Sequence, residues 1–280
     1  MNVEWAMIGD AMVPLAEAQI PVNDRGLYFG DGVYEVLRCC QGRLFALAEH
    51  LDRLRYSLDA IGLNDRVDVG QFHGRIQRLV AKSGLSEAIV YAQVTRGAAP
   101  RALEFDDDLE PTCLLTIRPT PPRTKTTYRA ITHPDLRWQR CDIKSLNLLP
   151  NVLARQAARH AGADDAILVD ADGYVTESTS SSVMLIAGGV LRTAPLTANI
   201  LAGVTRSFLL KWAPELGLTV REESFTVEQA LAADELFLCG TTTEVMPIVR
   251  LDDTVVSFTP EKSKALQLHR RLLDRMNQGC

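Results

Sequence analysis

The chain predicts two α+β domains, each a hairpin-rich sheet flanked by a few helices. Three observations carry that prediction. Short alternating segments pair across Gly9-Asp10, Gln41-Gly42, Asp172-Gly173 and Gly188-Gly189, the turn chemistry that antiparallel hairpins require. Helical periodicity is confined to a handful of segments, whereas a doubly wound sheet would alternate strand and helix throughout. The run Pro119-Thr120-Pro121-Pro122-Arg123-Thr124 breaks the pattern, and consecutive prolines favour an extended, stiff connector. The expected division is therefore a domain over 1–118, a linker over 119–125 and a domain over 126–280. A chain of 280 residues is long enough for two cores.

Taken in order, Val3 to Ile8 and Ala11 to Val13 form the first hairpin. Asp24-Arg25-Gly26-Leu27-Tyr28-Phe29-Gly30-Asp31-Gly32 is glycine-rich, which calls for unusual dihedrals or close backbone approach. Val33 to Cys39 alternates as a strand and returns through Gln41-Gly42 into Arg43 to Leu47. A helix runs from Ala48 to Ile61, with Leu51, Leu54, Leu58 and Ile61 on one face and Gly62 as its stop. A second starts at Asp68 as N-cap and carries Phe72, Ile76 and Leu79 to Gly84. Ile89 to Thr95 and Thr112 to Ile117 read as strands around a charged loop. Past the linker come a strand over Thr127 to Thr132 and a helix over Asn151 to His160. Two hairpins follow, Ala166–Val169 with Tyr174–Glu177 and Val183–Ile186 with Val190–Thr193. A helix bearing Phe208, Leu209, Trp212 and Leu216 comes next, then a strand over Glu235 to Cys239 and a closing helix from Pro260 to Met276.

Composition narrows the function classes. The chain is 46% hydrophobic and 23% charged, an ordinary balance for a soluble globular protein. A net charge of −5 offers no electrostatic reason for nucleic acid or anionic membrane partners. No apolar run approaches the roughly 20 residues of a spanning helix, and Met1-Asn2-Val3-Glu4-Trp5 lacks the basic start of a signal peptide. The six cysteines form no Cys-x-x-Cys pair, so a cytoplasmic protein with reduced thiols is expected. Five scattered histidines without a metal-binding spacing point to no metal. The serine run Ser178 to Ser182 lacks a nucleophile elbow, and no P-loop is present.

Lys144 is the most suggestive single residue. It sits in Arg137-Trp138-Gln139-Arg140-Cys141-Asp142-Ile143-Lys144-Ser145-Leu146-Asn147-Leu148-Leu149, where Ile143, Leu146, Leu148 and Leu149 ask for burial. A lysine in an apolar wall loses proton affinity, and its neutral amine suits Schiff-base chemistry; alternatively it snorkels to water. Gly203-Val204-Thr205 opens a helix, where free N–H groups favour a phosphate, and Gly240-Thr241-Thr242 offers hydroxyls after a strand. Arg53 and Glu177 read singly as a surface charge and a solvated carboxylate.

Together these segments resemble a family. Asp24-Arg25-Gly26-x-x-Phe29-Gly30-Asp31-Gly32-Val33-Tyr34-Glu35-Val36, Val94-Thr95-Arg96-Gly97, the Lys144 segment, Thr176-Glu177-Ser178-x-Ser180-Ser181 and Gly203-Val204-Thr205-Arg206 are similar to the class IV (fold-type IV) aminotransferases. Among these, the chain resembles the D-amino-acid transaminases over nearly its whole length. The resemblance implies pyridoxal 5'-phosphate as cofactor and a homodimer. It implies a transaminase moving an amino group from a D-amino acid to a 2-oxo acid, with 2-oxoglutarate as acceptor. Lys144 would be the Schiff-base lysine and proton shuttle, and Glu177 the partner of the pyridine nitrogen. Arg53, Val204, Thr205 and Thr241 would hold the phosphate, and Tyr34 would line the substrate pocket.

One departure bears on substrate. The D-specific pattern has an Arg-x-His pair for the substrate carboxylate, and here Arg101 matches while Leu103 stands at the histidine position. Arg38, in phase with Tyr34 on its strand, compensates for that histidine, gives a second carboxylate a partner, or forms a salt bridge to a nearby acid. A branched-chain L-amino-acid transaminase, an aminodeoxychorismate lyase and a pyridoxal-phosphate-binding protein without turnover are the alternatives, and acceptance of primary (R)-amines stays open.

Overall fold

The computed structural model describes residues 4–278. The strand start at Val3, the opening Met1–Val3 and the sixth cysteine, Cys280, lie outside the described residues. The chain divides into two compact units, one of Met1–Pro121, Ile143–Asn147 and Met276–Cys280, the other of Pro122–Asp142 and Leu148–Arg275.

The first unit opens with the hairpin β1 (Trp5–Ile8) and β2 (Ala11–Pro14). The glycine-rich stretch is a one-turn helix, α1 (Arg25–Phe29). Asp24 caps it by accepting from the Gly26 N–H at 2.8 Å, and Gly30 ends it in the left-handed region at φ 65°. The strand β3 (Gly32–Cys40) returns through β4 (Arg43–Leu44) into α2 (Leu47–Ala60) and α3 (Val69–Ser83), and β5 (Ala88–Thr95) and β6 (Thr112–Pro119) complete the unit. The six strands pair in the order β2-β1-β6-β5-β3-β4, antiparallel throughout. Asp68 caps α3 as expected, accepting from Gly70 N. The apolar stripes of the two helices, Leu51, Leu54 and Leu58 with Phe72, Ile76 and Leu79, share one core with Val33, Leu37 and Val90 of the sheet. Each such side chain contributes about 1.5–3 kcal/mol by leaving water.

The second unit contains β7 (Tyr128–Pro134), α4 (Leu149–His160), β8 (Asp165–Val169), β9 (Val175–Ser178), β10 (Ser182–Ala187), β11 (Val190–Thr193) and α5 (Val204–Trp212). It continues with β12 (Thr219–Glu222), α6 (Val227–Leu231), β13 (Glu235–Gly240), β14 (Glu244–Leu251), β15 (Thr254–Val255) and α7 (Lys264–Gln278). The sheet runs β12-β11-β10-β13-β14-β7-β8-β9. A further pairing of β9 with β10, at Ser182 opposite Glu177, closes β10, β13, β14, β7, β8 and β9 into a ring. Its apolar interior includes Ile167, Val183, Leu238 and Ile248.

Two expectations need correction. Lys144 was expected in the domain over 126–280, yet Ile143–Asn147 belongs with the first unit. Its backbone is tied there: Tyr34 N donates to Lys144 O at 2.9 Å and Leu146 N to Gly32 O at 3.0 Å. Ile143 is buried in the first unit's core. The linker also begins later than 119, because Pro119 still ends β6. The strand β14 carries no clear sequence signal, since Pro247 lies inside it and proline is rare within sheets.

Candidate active site

In the first unit the site grows from the alternation of β3. Val33, Leu37 and Cys39 enter the helix-covered core, so Glu35, in phase with them, enters it too and is 1% exposed. A carboxylate there must be paired. The helix α2 supplies the pair from one face: Arg53 donates to Glu35 through Nε at 2.7 Å and Nη2 at 2.9 Å, and His50 Nδ1 lies 2.8 Å from Glu35 Oε2. Burial pushes the Glu35 carboxyl up, but the Arg53 charge and the bonds from Arg53 and His50 outweigh it and hold the group at about 2. Burial pulls His50 below the ordinary imidazole range. With Glu35 ionised, His50 Nδ1 is the donor.

One turn beyond Arg53, buried Ser57 accepts the backbone N–H of Lys144 at 3.2 Å. The lysine segment thus lies along β3, with Val33 bridged to Ser145. This approach requires Gly32, where a Cβ would stand 2.5 Å from Val94 O and 2.9 Å from Leu146 Cδ1. The Lys144 amine lies 4.3 Å from the centroid of the Tyr34 ring, which stacks on Tyr91 at 5.5 Å. Burial and the adjacent Tyr34 push the Tyr91 phenol up to about 12. The lysine therefore meets an aromatic face. Of its expected apolar wall only Ile143 is buried, while Leu148 and Leu149 are exposed.

The second unit positions Glu177. It lies on β9 at the pairing that closes the ring and is 6% exposed, so the solvated-carboxylate reading does not hold. Arg137 donates through Nη1 to Glu177 Oε2 at 2.6 Å, and through Nε and Nη2 to Asp135 at 2.9 and 2.8 Å. The Thr176 hydroxyl donates to the same Asp135 at 2.6 Å, and Leu201 N donates to Glu177 at 3.3 Å. Burial opposes the charge on Arg137, but the Asp135 bonds and the two carboxylates raise its proton affinity further.

The start of α5, with Gly203 as N-cap, has no side-chain cap, an arrangement that suits an anionic ligand there. Thr205 is 2% exposed and its hydroxyl has no hydrogen-bond partner. The turn 241–243 joins β13 to β14 and ends at Glu244, which holds φ 59°. Glu244 is restrained by Arg123 Nη1 at 2.7 Å and His269 Nε2 at 2.8 Å, and Thr243 is tied to Ser181 at 2.8 Å.

These placements are mixed for the expected site residues. Within the first unit Lys144 and Tyr34 come together, and Arg53 is buried, which excludes the surface-charge reading. Arg38 goes elsewhere: its register partner is Ile89, whereas that of Tyr34 is Gln93, about 13 Å along the strand. Its guanidinium lies 3.8 Å from Glu87. Arg101 lies 5.4 Å from the Phe29 ring centroid, and Leu103 is 80% exposed. Within the second unit Glu177, Val204, Thr205 and Thr241 all lie at strand or helix ends. Sequence reasoning passed over Glu35, His50, Asp135 and Arg137. Glu35 carries a usable signal, a carboxylate in the apolar phase of a strand; Arg137 carries none beyond Asp135 two residues before it.

Residues 32–251 match the family model described as amino-transferase class IV. The chain belongs to the class IV aminotransferases. It is 41% identical to the D-alanine aminotransferase of Bacillus licheniformis over 88% of each chain. It is 36% identical to that of Listeria monocytogenes over 98% of this chain and 96% of the relative. Among solved structures it is similar to the branched-chain aminotransferase of Thermoproteus uzoniensis with norvaline, with a TM-score of 0.86 and 26% identity over 96% of this chain and 94% of that one. Class IV aminotransferases depend on pyridoxal phosphate. The orphaned, buried Thr205 hydroxyl and the uncapped α5 terminus fit its phosphate, because a buried hydroxyl without a partner is costly unless a ligand supplies one.

Proposed function

We propose that this class IV aminotransferase transfers the amino group of a D-amino acid, D-alanine or D-glutamate in type, to a 2-oxo acid, with 2-oxoglutarate as acceptor. The observation that carries this reading is the 36–41% identity to D-alanine aminotransferases over most of the chain. When bound, pyridoxal phosphate supplies an electron sink for the bond broken at the substrate Cα. Lys144 would hold the cofactor through its side-chain amine, and that amine would move the substrate Cα proton. Glu177, held by Arg137 at 2.6 Å, would pair with the ring nitrogen. Thr205, the N–H groups of Val204 and Thr205, Thr241 and Arg53 are the residues that would hold the phosphate. Tyr34 orients the Lys144 amine, and Arg101 takes the substrate carboxylate in two-pronged fashion.

Two further assignments belong to this reading. A homodimer follows from the family resemblance, and a cytoplasmic location is supported by the five free cysteines among the described residues. No helix among them is long and apolar enough to cross a membrane. A branched-chain L-amino-acid transaminase is the second reading, favoured by Leu103 at the histidine position.

The deciding experiment is a half-reaction scan with both enantiomers of alanine, glutamate and leucine, and with (R)-1-phenylethylamine, read from the bound cofactor's absorbance. A response to D-alanine and D-glutamate is expected. A response to L-leucine alone replaces the first reading with the second. Pyruvate released from aminodeoxychorismate without an acceptor makes the protein a lyase, and absorbance indifferent to every amine makes it a binder. In Lys144→Ala the borohydride-reducible adduct is lost; its retention removes Lys144 from the role.

A further inference from the structure

The loop that carries Arg101 and Leu103 has an unusual support. Arg25, on α1, is 3% exposed. Its guanidinium donates through Nη1 to Ala102 O at 2.7 Å and Glu104 O at 3.2 Å, and through Nη2 to Leu103 O at 3.0 Å. Its Nε–H goes to Asp31 at 2.8 Å. Three consecutive main-chain carbonyls thus converge on one buried cation, and the rigid fork of the guanidinium sets their directions. When carbonyls turn inward, the side chain between them is displayed outward, and Leu103 is 80% exposed.

The grip is reinforced on both sides. Phe105, the next residue but one, lies over Arg96 at 3.7 Å and Arg25 at 5.3 Å from its ring centroid. Phe29 lies 4.9 Å from Arg25 and 5.4 Å from Arg101. Arg96 shares Asp31 with Arg25, at 2.9 Å, and donates to Ile61 O at 2.7 Å. Asp31 directly precedes Gly32, whose carbonyl accepts Leu146 N. The anchor of the loop is therefore also the start of the strand that holds the lysine segment. No loop side chain takes part in the bonds from Arg25, which makes the grip indifferent to the residue at 103.

We propose that Arg25 is a positioning residue for substrate selection: it fixes the main chain of 102–104 and so sets how the side chains of Arg101 and Leu103 are presented. Position 103 is then an exchangeable reading position on a constant scaffold. This rests on the D-amino-acid reading for the role of Arg101, but the grip itself does not.

The test uses the holoenzyme with Arg25→Lys and Arg25→Met. Amide hydrogen exchange across 102–105, without substrate, is expected to accelerate in both variants. The KM for D-alanine is expected to rise roughly 10- to 100-fold, the scale of a misplaced binding group. The kcat should stay within about threefold, as for lost binding common to ground and transition states. Cofactor affinity should be unchanged. Leu103→His should alter the D-alanine KM in the wild-type background and leave it unaltered beside Arg25→Met. If Arg25→Met does not fold, Arg25→Lys carries the test, since it keeps the charge beside Asp31 and loses the fork. Unchanged exchange, or a fall in kcat at constant KM, overturns the proposal. If the wild-type protein turns over no D-amino acid, the substrate reading fails while hydrogen exchange still decides the grip.

Discussion

Two buried arginine–carboxylate clusters, one in each unit, use the same chemistry to opposite ends. In the first unit a single carboxylate, Glu35, is met by two partners, Arg53 and His50. With His50 neutral, charge in this group balances and the carboxylate is structural. In the second unit one guanidinium, Arg137, serves two carboxylates, Asp135 and Glu177. Negative charge exceeds positive within those three groups. An acid excess in a dry site favours a cation, which on the proposed reading is what a protonated ring nitrogen would be. The difference teaches that an acid excess, beyond a balanced pair, is what leaves a buried cluster able to take up a cation.

The sharpest way to break this comparison is Glu35→Ala. Removing the carboxylate of a buried ion pair should lower stability by about 3–5 kcal/mol, measured by urea unfolding. A loss as small as that of a surface change would make the first cluster dispensable. Glu177→Gln should behave the other way. Asp135 still neutralises Arg137, so stability should move by about 1 kcal/mol. The kcat should drop on the order of 100-fold, the usual size for one preorganised electrostatic partner. Near-normal turnover in that variant would deny Glu177 its place at the ring nitrogen.

A pH series sharpens the contrast. The Glu35 carboxyl is held at about 2 against 4.5 for the free group. As pH falls through that window, the unfolded state binds a proton that the folded state refuses. The stabilisation is complete above about 4.5 and is lost towards about 2. Burial of His50 adds a loss of the same sign, starting where an exposed imidazole protonates, near about 6.5. Unfolding free energies should therefore decline from neutral to acid pH, and more gently in Glu35→Gln; equal slopes would show that Glu35 is not the linked group.

The smallest effect expected is that of Thr205→Val. The change removes an orphaned hydroxyl without altering shape, so cofactor-free protein should be unchanged or slightly more stable. Pyridoxal phosphate should bind about fivefold more weakly, the value of one hydrogen bond. Weaker apoprotein with unaltered affinity would mean that the hydroxyl has an internal role.

Much of the fold was legible because local signals agreed. The stripes of α2 and α3, the Asp68 cap and the hairpins at Asp172-Gly173 and Gly188-Gly189 all rest on side-chain periodicity and turn chemistry within a few residues. The strand β14 was hidden by Pro247, and β12 needed its parallel partner β11 to exist as a strand. At the site, Lys144, Glu177 and the Gly203-Val204-Thr205 turn were readable as segments. The place of Arg38 was not: its phase with Tyr34 was right, but phase fixes only the face of a strand and not the distance along it.

Residue order alone determined the α+β class, the element boundaries near strong caps and turns, and which short segments match the class IV aminotransferases. These depend on interactions between residues close in sequence, or on motif identity. Only tertiary structure decided that Lys144 sits on Tyr34 with its segment joined to the first unit, that Glu35 and Arg137 organise the two clusters, and that Arg25 grips a loop 77 residues away. Each of those outcomes depends on which groups meet inside a water-poor interior. There an ion or a carbonyl must take whatever partner the packing brings within reach.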